Sequence, residues 1–153
     1  MSEPALLELR FHADPRRLAA VRARVRAVAT ALVHDARWVG DVVMAVNEAC
    51  VNVIQHAYQG NAAGEIVLKM RQAGMFLEIA LLDFAPPVLL ENIRPRALDD
   101  IRPGGLGTHF IRTLMDRCEY ANLDGGQGNL LRMQKRLREP APQHPSEDLA
   151  SYS

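Results

Sequence analysis

The chain is 153 residues long, the size of one domain, and at that length it buries roughly 70% of its unfolded surface without needing a disulfide or a metal. Its 18 Lys and Arg balance 18 Asp and Glu, which argues against a dedicated nucleic-acid binder, and 48% hydrophobic residues exclude a mostly disordered chain. The two cysteines, Cys50 and Cys118, lack metal-site spacing; with no run of 18 apolar residues and no signal-peptide pattern at the start, a reduced, cytoplasmic setting is expected.

Residues 5–11 alternate apolar and polar, with Leu7, Leu9 and Phe11 on one side and Glu8 and Arg10 on the other, which predicts a half-buried strand. Asp14 and Pro15 then supply an N-cap and a first helical position for a helix over residues 16–33. Its arginines, Arg17, Arg22, Arg24 and Arg26 among them, form either a solvated face or a docking surface for an acidic partner. A second helix is predicted over 36–58, closed by Gly60. Strands over 65–71 and 75–84 follow, joined by a tight turn at 72–74.

Residues 85–105 hold four prolines and no sustained period, which suits a functional loop. A third helix is predicted from Leu106 to about Asp116, and strands over 119–123 and 129–137 close the chain as a hairpin. One domain over 1–137 and a disordered tail over 138–153 are therefore expected. Strands and helices do not alternate, so a doubly wound parallel sheet is excluded. The order fits an α+β fold, a two-layer sandwich of three helices on a mixed, largely antiparallel sheet.

On the second helix Asp41, Glu48, Asn52, Gln55 and Gln59 fall within a narrow arc, opposite Val39, Val42, Val46, Cys50, Val53 and Ala57. Glu48 and Asn52 lie one turn apart; taken alone they read as a solvated face, or else their hard oxygens suit Mg²⁺, or the carboxylate can take a proton while the amide holds the metal. The segment Gly104-Gly105-Leu106-Gly107-Thr108 precedes or opens the third helix, either as an ordinary glycine-rich helix entry or as a phosphate site built from free backbone N–H groups and the helix dipole. It is neither a Walker A loop nor a dinucleotide fingerprint. Asp83 ends an apolar strand, where it either caps a turn or accepts a hydrogen bond from an adenine amino group.

The ordered set Glu48-x-x-x-Asn52-x-x-x-His56-Ala57-Tyr58, Asp83-Phe84-Ala85-Pro86-Pro87 and Gly104-Gly105-Leu106-Gly107 resembles the nucleotide boxes of the GHKL ATPase superfamily. The stretch 104–120 and the ending 128–137 narrow the resemblance to the single-domain anti-sigma-factor serine kinases of bacterial partner switching. That resemblance covers roughly residues 5–137. It implies a Bergerat-type fold binding ATP and Mg²⁺, with Glu48 as catalytic base, Asn52 as Mg²⁺ ligand and Asp83 as adenine-binding carboxylate. Ala85 and Leu106 fall inside the matching boxes, Gly105 and Gly107 match the phosphate-binding glycines, and Thr108 can add a hydroxyl. It further implies a STAS-type antagonist protein as substrate, a sigma factor as second partner, and a homodimer.

One position departs from the family pattern. Its second box reads Asp-x-Gly, and Ala85 takes the place of the glycine. A positive φ there would strain alanine by about 1–2 kcal/mol, and the methyl can crowd the adenine even without it. This departure keeps a second hypothesis open, a non-catalytic module that sequesters a sigma factor or other regulator. A histidine-kinase core fits less well, because no helical dimerisation segment with a phosphoacceptor histidine is recognisable. Arg94, Arg96 and Arg102 can neutralise triphosphate charge from the loop, or serve as exposed surface. His56 suits packing or a hydrogen bond, and Trp38 the core or an interface.

Overall fold

The computed structural model describes residues 4–86 and 105–138 except 124 and 126, with the backbone alone for 105–109. The expectations for the proline-rich stretch, including Arg94, Arg96 and Arg102, and for residues 139–153 lie outside these residues.

Strand β1 spans Leu7–His12, and Asp14 then caps a 3₁₀ turn, Pro15–Arg17, its side chain accepting from the Arg16 N–H. Helix α1 (Leu18–Leu32) follows, then α2 (Ala36–Asn52), which starts at Asp35, whose carboxylate accepts the N–H groups of Arg37 and Trp38. Strands β2 (Glu65–Ala73) and β3 (Phe76–Asp83) form a hairpin whose turn uses Gly74 at φ 61°. Helix α3 (Gly105–Leu114) leads into β4 (Arg117–Asn122) and β5 (Asn129–Arg136).

The five strands lie in the order β1-β2-β3-β5-β4. All four described pairings are antiparallel, so the sheet is more uniform than the mixed one expected. Period-2 alternation assigns each residue a face. Leu9, Leu68, Leu81, Leu131 and Tyr120 form one cross-strand row, and Met70, Ile79, Met133 and Cys118 the next. These residues join Val25, Val42, Val46 and Cys50 in a single core between sheet and helices. α2 is the central helix of the layer, packed on α1 on one side and α3 on the other. No helix of the described residues is long and apolar enough to cross a membrane.

The second helix departs from the regular period expected over 36–58. It is α-helical only to Asn52 and continues as a π turn, Val53–Ala57, in which the Tyr58 N–H bonds the Val53 carbonyl at 3.0 Å. The β-branched residues Val51, Val53 and Ile54 weaken the α-helix there, and the contacts of Tyr58 reward the wider turn. The polar arc is correspondingly shortened. Glu48 and Asn52 keep it, whereas Gln55 is exposed on the π turn and Gln59 sits beyond it at φ 50°.

Candidate functional site

Asp83 is the last residue of β3 and lies in register between Ile66 and Asn129. It shares its face with Ile79 and Leu81, both in the core, so its side chain points toward the helix layer. The residue is only 4% exposed. Its Oδ1 accepts the Ala85 N–H at 3.1 Å and the Asn129 Nδ2 at 2.9 Å. Burial pushes its pKa up, and those two bonds pull it back only in part.

A second carboxylate on the same strand gives the contrast. Glu78, 8% exposed, lies on the opposite face, where Arg71 bonds it at 2.9 Å and Arg132 approaches to 3.6 Å. Burial pushes Glu78 up too, but the bonds from Gln134 and Arg71 prevail and its pKa ends below the ordinary value. Asp83 has neutral donors and, among the described residues, no ion pair. No described bond engages its Oδ2, which leaves an acceptor for a donor from outside the chain.

Glu48 and Asn52 are half-buried on the last turns of α2, and among the described residues neither makes a hydrogen bond or ion pair. Their direction follows from Asp41, on the same arc. Lys135 lies 3.9 Å from Asp41 and donates to the carbonyl of Leu114, the last residue of α3. The start of α2 is thus beside the end of α3. Glu48 and Asn52 lie roughly 10 and 16 Å further along α2, toward the glycine end of α3.

Gly105, Leu106, Gly107 and Thr108 form the first turn of α3. The first N–H groups of a helix have no partner within it, so this turn presents donors and the positive end of the dipole. The Thr108 hydroxyl lies outside the described side chains.

Ala85 is 2% exposed, and its N–H closes a turn on Asp83. Gln59 is the only non-glycine residue with positive φ among those described, so the strain expected at Ala85 does not arise.

Three residues of this corner escaped the motif reading in their roles. Asn129, across the sheet, donates to Asp83; only the β3–β5 register could have placed it there. Tyr58, one of the quoted motif residues, uses its hydroxyl to tie the end of the π turn to Phe84. Gly128 sits at φ 127°, and a Cβ on it would lie 2.7 Å from the Asp83 carbonyl oxygen. His56 is exposed and Trp38 is buried, its Nε1 donating to the Arg136 carbonyl at 2.9 Å. No group of three or more His, Cys, Asp or Glu among the described residues is placed to hold a metal.

A family model of the histidine kinase-like ATPase domain matches residues 11–135. The chain belongs to that family. Within it, the relatives are serine-protein kinases. The serine-protein kinase RsbW of Bacillus pumilus is 29% identical over 91% of this chain and 90% of its own length. RsbW of Halalkalibacterium halodurans is 30% identical over 80% of each. The chain is a serine kinase of this anti-sigma-factor group. Among solved structures, the RsbU and RsbW domains of Rv1364c from Mycobacterium tuberculosis give a TM-score of 0.64 at 21% identity, covering 90% of this chain and 34% of that one. The mycobacterial sensor histidine kinase MprB gives 0.53 at 13% identity, over 88% of this chain and all of the other. At those identities the structures show a shared fold alone.

Proposed function

We propose that the chain binds Mg-ATP and phosphorylates a serine or threonine on a small STAS-type antagonist protein, with a sigma factor as its alternative partner. It acts as a cytoplasmic homodimer whose folded unit is residues 1–137. The observation that carries the nucleotide reading is Asp83, a carboxylate buried among neutral donors on the helix-facing side of the sheet. A purely structural buried carboxylate is expected to look like Glu78, matched by guanidinium groups.

The donor set fits the nucleotide. Asp83 accepts the adenine amino group and rejects guanine, whose oxygen at that position would face the carboxylate. The main-chain N–H groups of Gly105, Leu106, Gly107 and Thr108 receive phosphate oxygens. Asn52 offers an amide oxygen to Mg²⁺, which keeps most of its waters and needs few protein ligands. Bound Mg-ATP supplies the electrophilic phosphoryl group together with part of the charge neutralisation. Glu48 takes the proton of the acceptor hydroxyl on a carboxylate oxygen and holds that hydroxyl in line. The new phosphate adds about two negative charges to the antagonist, which then leaves by repulsion and desolvation.

The direct test is incubation with Mg-ATP and the cognate antagonist, followed by intact-mass measurement. A gain of one phosphate on the antagonist, abolished in Glu48→Ala, is expected. No gain, with tight nucleotide binding by calorimetry, would instead make the protein a sequestering module.

A further inference from the structure

The Tyr58 hydroxyl uses both its hydrogen-bonding functions. It donates to the Glu65 carbonyl at 2.6 Å and accepts the Phe84 N–H at 2.8 Å. Three segments meet at this one oxygen: the end of the π turn that continues the Asn52 helix, the first residue of β2 and the residue after β3.

The ring has a slot made for it. A Cβ on Gly64 would lie 2.5 Å from its Cδ1 and Cε1, so a side chain at 64 would displace it. Phe84 lies past the end of the β3 ladder, where its N–H has lost its strand partners. On its other side the same peptide unit packs close to Gly128, where a Cβ would lie 2.7 Å from the Asp83 carbonyl oxygen. The peptide joining Asp83 to Phe84 is therefore fixed at its N–H by Tyr58, while its C=O lies so close to the Gly128 backbone that only glycine fits there. The direction of the Asp83 side chain follows from that of the peptide beside it.

We propose that Tyr58 is a positioning residue for base selection, its hydroxyl locking the main chain after Asp83 to the end of the Asn52 helix and so fixing where the adenine-facing carboxylate points. This rests on the nucleotide reading of the site given above. Tyr58 touches no reacting atom. It acts on affinity and base preference through Asp83.

The test compares Tyr58→Phe, which keeps the ring and removes the oxygen, with the wild type in calorimetric titrations against ATP and ITP. Inosine carries an oxygen where adenine carries its amino group. The variant is expected to bind ATP about tenfold more weakly, the scale of one hydrogen bond, with ITP affinity nearly unchanged, so that the preference shrinks. Trp38→Phe is the control: it removes the indole bond to Arg136 at the far end of α2, lowers Tm and leaves the ATP/ITP ratio intact. In the wild type without nucleotide, the Phe84 amide is expected to be protected from hydrogen exchange. An unprotected Phe84 amide overturns the clamp even if the variant does not fold. A wild type that prefers ATP, with Tyr58→Phe keeping the full ratio, overturns the inference alone. A wild type that binds neither nucleotide overturns the reading of the site, and this inference with it.

Discussion

Replacing Asp83 by asparagine separates what this side chain does for the fold from what it does for a ligand. In the free chain the amide oxygen introduced by Asp83→Asn can still accept from the Ala85 N–H and from Asn129, since both existing bonds go to Oδ1. The charge that disappears is one the fold disfavours. Burial raises the pKa of Asp83 above its ordinary 3.8, so the folded chain holds a proton there more tightly than the unfolded chain does. Ionised Asp83 therefore weakens the fold above its folded pKa, and that penalty fades as pH falls toward 3.8. Asp83→Asn is thus expected to melt at the same temperature as wild type or higher at pH 7. Binding moves the other way. In the proposed site the new NH₂ would face the adenine amino group, so a charge-assisted bond would be lost and two donors would confront each other, at about 2–3 kcal/mol. That corresponds to roughly 30- to 150-fold weaker ATP binding by calorimetry. Wild-type ATP affinity should also fall on acidification through the raised pKa, and the variant's dependence should be flatter. An Asp83→Asn protein that binds ATP within about threefold of wild type, or that loses several degrees of Tm, would refute this assignment.

Two further substitutions probe the turn around this residue. Gly128→Ala forces a side chain onto φ 127° and onto the Asp83 carbonyl oxygen, which together should remove about 3 kcal/mol of stability, or roughly 6–12 °C of Tm for a chain of this size. A shift under about 2 °C would show that the hairpin relaxes freely. Ala85→Gly restores the family's residue where no positive φ is used, so it should lower stability by about 0.5–1 kcal/mol through added freedom of the unfolded chain. A gain in stability on urea unfolding would show that alanine is strained there after all.

The sheet and the helices were legible because they obey a simple period. Leu7, Leu9 and Phe11 alternate, Ile79 and Leu81 continue to Asp83, and each alternation points one face at one core. Asp14 and Pro15 announced a helix start that the structure builds as a 3₁₀ turn before α1. What failed to show is tertiary. The π turn after Asn52 follows from contacts of Tyr58 with residues 7 and 26 positions away, and no local pattern encodes them. Asn129 meets Asp83 only once β5 has paired with β3 rather than with its sequence neighbours alone. The glycine expected to matter at position 85 belonged to a family pattern, whereas the position that needs glycine for room beside Asp83 is 128.

The arrangement also explains how two polar side chains can stay unpartnered, among the described residues, on a packed helix. α2 is fixed at both ends by bonds that leave Glu48 and Asn52 out, the Lys135–Asp41 pair engaging only the start of the polar arc. At its start Asp35 caps the helix and pairs with Arg138, Trp38 bonds the Arg136 carbonyl, and Lys135 ties α3 in beside Asp41. Past its end Tyr58 joins β2 to the exit of β3. Between these anchors the buried face of Val42, Val46 and Cys50 supplies the packing. Glu48 and Asn52 are therefore held in direction by the backbone that carries them rather than by partners of their own. A carboxylate and an amide aimed without being neutralised are what a proton acceptor and a metal ligand require, because a partner inside the chain would have to be displaced before either could act.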